Sequence, residues 1–440
     1  MKSMFAAACA VAAVGAHCSA AAQVPNVATP RMGTEAAGPP APETAYEPLA
    51  SVRTGPLPPS LSLADALSEG LARSQAIIAA EADVRAARGR LRQAGYRANP
   101  ELSLEVENVL GTGELAGLRA METTLSVNQR LDLAGRRGAR VRFAQAELIV
   151  QQLRLAIVQA DLQFTVREQF ARAVAAREKL AQASDTVARA RELSRVAGVL
   201  VEVGRDPPLR AIRARSALAQ AVADEEAARA EDLAARSLLA AALGSSRAIA
   251  FVEGDMSLPP PSVVGSPLEL RLADAERASA EASLAIELTA NRLDPAVGLG
   301  VRHIRETGDI GLVGGVSIPL PVFDRNRGGI SAARAALEGA EARRAGAEIA
   351  ADARARNARG AVDANLRRVE ALEQSAIPEA AEALRLAELS YREGRATLLE
   401  LLDTQESYTA ARAALTDARL ALALAQAELA RAVATGDTES

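Results

Sequence analysis

Aromatic residues make up 2% of the 440-residue chain and tryptophan is absent. Although 49% of the residues are hydrophobic, this aromatic-poor, Ala-rich composition favours long helices over a large mixed core. Cysteine occurs twice, at Cys9 and Cys18, both near the N-terminus. Removal of an N-terminal signal would leave no cysteine, which excludes a disulfide framework and thiol chemistry. Histidine is equally scarce: His17, and His303 far along the chain. Soft-metal sites need clustered His, Cys or Met. Met32, Met121 and Met256 are scattered, so no metal site is expected and any metal would be conducted without a dedicated one. No Gly-rich phosphate loop, nucleophile elbow or His–carboxylate pair is present, so neither an enzyme nor a cofactor is expected. The formal charge of −4, with basic residues in single turns rather than stripes, argues against nucleic acid as partner. No internal run reaches 18 apolar residues, so if the chain crosses a membrane it must do so as a β-barrel.

What is present begins with a secretory signal over Met1–Ala22. Lys2 supplies the positive start, Phe5–Val14 the apolar stretch, and Ala20-Ala21-Ala22 a small-residue cleavage site before Gln23. Lipidation at Cys18 would need small residues before it, and His17 stands there. Residues 23–60, rich in Pro, Gly and Ala without periodicity, read as an extended arm.

The rest is Ala-, Arg-, Glu- and Leu-rich, the composition of long helices. Helical periodicity runs over Leu61–Gly95, over Ala139–Leu243 with a break between Gly198 and Pro208, and over Leu268–Leu293. It continues over Ile330–Leu389, which tolerates Pro378, and over Thr397–Val433. So many long amphipathic helices must pack side by side as a bundle or tube. Between them lie alternating segments: Glu101–Val109 with Met121–Leu133, and Ala296–Ile304 with Ile310–Val322. Each pair is followed by a turn into an Ala-rich helix, with Gly135 and Gly138 in the first and Asp324 and Gly328 in the second. Gly138 and Gly328 are 190 positions apart, as are Gly204 and Gly394 in the later helix breaks. The chain therefore reads as two repeats, 61–243 and 268–433, joined by a connector at 244–267 containing Pro259-Pro260-Pro261 and followed by a tail at 434–440.

Alternation alone does not separate a soluble sandwich from a membrane barrel. Length favours the barrel, since the segments match the roughly 9–11 residues that cross a bilayer. Four strands cannot close a barrel, which needs about eight. Three copies would give twelve and leave no unpaired edge in lipid. Barrels usually carry aromatic girdles; these strands hold no Trp or Tyr, and Phe323 stands just past the last.

The chain resembles outer-membrane efflux proteins of the TolC family, and within it the heavy-metal, CzcC-like branch. The resemblance covers about residues 61–433. It is carried by Asn99-Pro100-Glu101-Leu102, by the run from Arg130 through Ala134 to Gly138, by Ile318 through Asp324 to Gly328, and by Tyr391 through Gly394 to Asp403. It implies a homotrimer, mainly α, with a twelve-stranded outer-membrane barrel continued by a periplasmic helical coiled-coil tunnel. Implied partners are outer-membrane lipid, a periplasmic adaptor (membrane fusion protein) and an inner-membrane RND-type pump.

Glu400 and Asp403, three apart at the start of a helix, share one face. In the family, matching acids narrow the periplasmic mouth, and six carboxylates around one axis would attract cations. Read alone, they are also ordinary acids favoured in a first helical turn. Gly204-Arg205 and Gly394-Arg395 occupy equivalent helix-to-helix turns. The resemblance makes these tips the adaptor-docking sites, with Pro207-Pro208 setting the first apart from the second. Three readings result: a trimeric duct for heavy-metal cations, the same duct for organic toxins, or a soluble periplasmic coiled-coil scaffold or adaptor.

Overall fold

The computed structural model describes residue 53 and residues 55–257 and 266–435. The expectations for the signal, most of the arm, Pro259-Pro260-Pro261 and the end of the tail lie outside them. In chain order the elements are β1 (Ser60–Leu61), α1 (Leu63–Arg73), α2 (Gln75–Gly95), β2 (Glu101–Glu107), β3 (Glu122–Arg130), α3 (Arg136–Glu202) and α4 (Pro208–Ala242). There follow β4 (Phe251–Val252), α5 (Leu268–Ala290), β5 (Ala296–Ile304), β6 (Asp309–Ser317), α6 (Arg327–Ala371), α7 (Ile377–Arg392) and α8 (Leu398–Ala432).

The 67 residues of α3 extend for about 100 Å at 1.5 Å per residue. Against it pack α2, α4, α5 and α8. Their alanines let the axes approach closely, and larger residues gather where more elements meet. One such cluster joins Leu61, Val166, Phe170, Val174, Leu239 and Leu243 with Ile249, Val252 and Met256. There the parallel pair β1–β4 aligns Ser60 with Phe251 and Leu61 with Val252, a contact that two-residue strands do not announce in sequence.

The other four strands form one antiparallel sheet in the order β2-β3-β5-β6. Its centre, β3 against β5, joins the first repeat to the second, with Leu125 opposite Val301 and Glu122 opposite Ile304. The register aligns Leu104, Leu125, Val301 and Leu312 in one row. Gly300 permits this: a Cβ there would come within 2.6 Å of Ser126 Cβ and 2.7 Å of Leu125 O. β2 and β6 are the edges of this sheet and have no further strand partner among the described residues.

Several boundaries differ from the sequence reading. The helix expected over Leu61–Gly95 is divided at Ser74, whose Oγ accepts from Ile77 N and caps α2. The strand expected over Met121–Leu133 ends at Arg130, since Leu131 N turns to Pro295 O and Asp132 takes a positive φ. The last strand stops at Ser317 rather than Val322, because Pro319 and Pro321 have no N–H for a ladder. Pro378 is accommodated by a π-helical turn over Leu372–Ala376, which widens the helix just ahead of the missing donor.

Candidate functional site

The two helix-to-helix tips are built alike. Gly204 N donates to Val201 O and Arg205 N to Leu200 O; 190 positions later Gly394 N donates to Tyr391 O and Arg395 N to Ser390 O. This is the Schellman closure, which puts the glycine in the left-handed region, at φ 70° for Gly204 and 75° for Gly394. Arg205 stands exposed, whereas Arg395 pairs with Glu393 at 3.3 Å. Beyond the turns the tips diverge. Where the second has Glu400 and Asp403, the first has Arg210 and Arg213 at the same offset. Arg210 is bound to the carboxylate of Asp206.

The tips are held together by residues the sequence reading left without a role. Tyr391 is 7% exposed and packs with Leu193, Leu384, Leu398 and Leu401. Burial raises its phenol pKa, and the nearby charge of Asp206 adds to that. Tyr391 Oη and Asp206 Oδ2 are both buried without a hydrogen-bond partner among the described residues. The sequence signal available was a tyrosine three positions before a turn glycine.

Glu400 is drawn into the backbone. Its Oε2 accepts from Thr397 N at 2.7 Å and from Thr397 Oγ1 at 3.0 Å, while Thr397 Oγ1 accepts from Glu400 N at 3.3 Å. This capping box starts α8. The bond from Thr397 N and then that from its hydroxyl hold the Glu400 carboxyl below the usual carboxylate range. Asp403, one turn on, is exposed and makes no such bond among the described residues. The two acids share a helix face but differ in freedom.

At the other end of the helices, the strand-to-helix turns tie the repeats together. Gly135 takes φ 75° before α3, and Asp324 Oδ1 accepts from Asn326 N at 2.8 Å before α6. Gly138 and Gly328 lie inside the first helical turns rather than in the links, because both helices begin sooner than their glycines suggest. Arg136 explains the early start of α3: its guanidinium donates to Thr289 O, Ala290 O and Arg292 O at the end of α5.

The sheet divides chemically by face. One bears Leu102, Leu104, Leu125, Val127, Leu299 and Leu312, from 47% to 90% exposed. The other bears Glu101, Glu105, Glu107, Glu122 and Asp309 against Arg130 and Arg302. Arg302 of β5 links three strands, reaching Glu122 of β3 at 3.0 Å and Glu107 of β2 at 3.2 Å. His303, on the apolar face, is opposite Thr123 and Ile310. Among the described residues no group of three or more His, Cys, Asp or Glu side chains is placed to hold a metal ion, and no helix is long and apolar enough to cross a membrane.

A family model described as outer membrane efflux protein matches residues 66–245 and again 266–435. The chain belongs to the outer membrane efflux protein family. Among the relatives of this efflux protein, the nickel-cobalt-cadmium resistance protein NccC of Alcaligenes xylosoxydans xylosoxydans is 31% identical over 70% of this chain and 71% of its own length. The nickel and cobalt resistance protein CnrC of Cupriavidus metallidurans is 32% identical over 63% of this chain and 68% of its own. The efflux protein also shares its fold with the outer membrane protein VceC of Vibrio cholerae, at a TM-score of 0.72 and 21% identity, over 84% of this chain and 95% of that one.

Proposed function

We propose that this efflux protein is the outer-membrane duct of a tripartite export system. Three copies close a twelve-stranded barrel, and the helices continue it as a tunnel toward an inner-membrane RND-type pump and a periplasmic adaptor. The observation that carries this reading is the four-stranded sheet: an apolar face that no helix covers and two edges that no strand pairs, among the described residues. In lipid the uncovered face is satisfied, but each open edge would leave backbone groups unpaired at several kcal/mol apiece. Pairing β6 of one copy with β2 of the next removes both edges.

The cargo proposed is a heavy-metal cation. Support comes from the metal-resistance relatives and from the polar sheet face, where five carboxylates outnumber two guanidiniums. Screening limits the reach of wall charges to about 8 Å, so selection falls to the narrow mouth. There Asp403 acts as the gate acid, while Glu400 is occupied in starting α8. The tips at Gly204-Arg205 and Gly394-Arg395 dock the adaptor, and Arg210 and Arg213 beyond the first against Glu400 and Asp403 beyond the second give it two distinguishable faces.

The test is deletion and complementation in the native host, with membrane fractionation. The duct reading expects an outer-membrane trimer whose loss raises intracellular nickel, cobalt or cadmium. Sensitivity to organic toxins with unchanged metal content would transfer the duct to organic cargo. A soluble periplasmic chain would refute the duct in favour of a scaffold.

A further inference from the structure

At the helical side of the sheet, each of the four strand ends carries an exposed apolar or aromatic side chain beside an arginine. Tyr96 precedes Arg97 before β2, and Leu133 precedes Arg137 after β3. Arg292 precedes Leu293 before β5, and Phe323, fully exposed, precedes Arg325 and Arg327 after β6. Leu133 and Phe323 are repeat-equivalent, as are Arg137 and Arg327.

The carboxylates at this level are already engaged. Glu101 faces Arg130 at 3.6 Å, Asp132 faces Arg140 at 3.6 Å, Asp294 faces Arg136 at 3.8 Å, and Asp324 caps Asn326 N. Arg97, Arg137, Arg325 and Arg327 stay exposed, with side chains unpaired among the described residues. The opposite end has the reverse sign: Glu107, Glu114, Glu122, Glu306 and Asp309 outnumber Arg119, Arg302 and Arg305.

Beside the first strand pair this basic level deepens into a cleft of about 720 Å³ between the end of α2, the end of β3 and the start of α3. Ala94, Tyr96, Phe143 and Ile286 line it together with Arg90 and Arg97; of its three carboxylates, Asp132 and Asp294 are paired with Arg140 and Arg136, and Glu147 accepts from Ser279 Oγ. Arg90 and Arg97 are exposed and unpaired among the described residues. An apolar trough edged by free guanidiniums matches a diacyl lipid with a phosphate head, since arginine engages phosphate oxygens in pairs and its stem lies along apolar surface.

We propose that this cleft seats an anionic phospholipid of the periplasmic leaflet, with its phosphate at Arg90 and Arg97 and an acyl chain along Phe143 and Ile286, and that the arginines at the other strand ends hold neighbouring headgroups. This rests on the duct reading, because only a membrane-inserted sheet brings the level to lipid. The belt does the anchoring that aromatic girdles do in other barrels, which fits a chain without tryptophan.

The test is native mass spectrometry of the full-length protein extracted in dodecyl maltoside and titrated with phosphatidylglycerol or phosphatidylethanolamine. The wild type is expected to retain phosphatidylglycerol in preference. Arg90→Gln and Arg97→Gln are each expected to weaken it about five-fold, at about the worth of one basic residue near an anionic surface. Arg97→Lys is expected to restore part of the loss, and because these side chains are exposed the variants should assemble as the wild type does. Equal retention of the two lipids, or unchanged phosphatidylglycerol in the double variant, would overturn the proposal. So would a double variant that loses assembly mass but not lipid, since a neighbouring subunit would then fill the cleft. A membrane-inserted trimer indifferent to phosphatidylglycerol would sink the lipid seat alone; a chain that never enters the membrane would sink the duct as well.

Discussion

Thr397 and Glu400 start α8 together, and this separates two acids that sequence alone treats as a pair. Thr397→Ala should weaken the start of α8 by about 1 kcal/mol, read as faster amide exchange across residues 398–401. The same exchange should depend on pH. A carboxyl held below its unfolded-chain value stabilises the fold above that value, and the contribution is lost as pH falls through the depressed one. Protection at the start of α8 should therefore hold at neutral pH and fade below the usual carboxylate range, after correction for intrinsic exchange rates. Glu400→Gln keeps a residue able to complete the box, whereas Asp403→Asn removes the free charge. In single-channel recordings across a salt gradient, Asp403→Asn should lower cation preference more than Glu400→Gln does. The reverse order would return the gate role to Glu400.

Each strand presents the same two-residue pattern, but the sheet's register turns separate patterns into one apolar face. Leu312, 90% exposed at the end of the row with Leu104, Leu125 and Val301, is where a charge should do most harm. Leu312→Lys should cost about 2–4 kcal/mol if it lies near the bilayer midplane and should shift the chain out of the outer-membrane fraction. Ser126→Lys, on the polar face, should leave fractionation unchanged. Equal effects would contradict the assignment of faces. Gly300 acts through space rather than charge. Gly300→Val would push into Ser126 Cβ and Leu125 O, prising β5 from β3, and should reduce the assembled protein even though valine favours strands elsewhere.

For the whole molecule, two repeats of one design carry an arginine at each tip, Arg205 and Arg395, but differ in how free that charge is. Arg205→Glu reverses a free, exposed charge and should weaken adaptor capture in a pull-down while leaving the assembled mass unchanged. Arg395→Glu should have less effect, because Arg395 already pairs with Glu393 at 3.3 Å. Equal loss from both would mean that the adaptor does not distinguish the tips.

The long helices, the four alternating segments and the 190-residue repeat are legible along the chain. These depend on local chemistry: alanine-rich periodicity, two-residue alternation and glycines that close helix ends. The tips were legible for that reason, since a Schellman turn is decided within a few residues. The pairing of β3 with β5 across the repeats, the meeting of β1 with β4 and the closure of the end of α5 by Arg136 emerge only when the chain is folded. Only packing buried Tyr391 beside Asp206. The difference is one of range along the chain. A periodic face or a turn is fixed by neighbours in the chain, whereas strand pairing and burial depend on residues brought together from far along it, as Arg136 and Ala290 are from 154 positions apart.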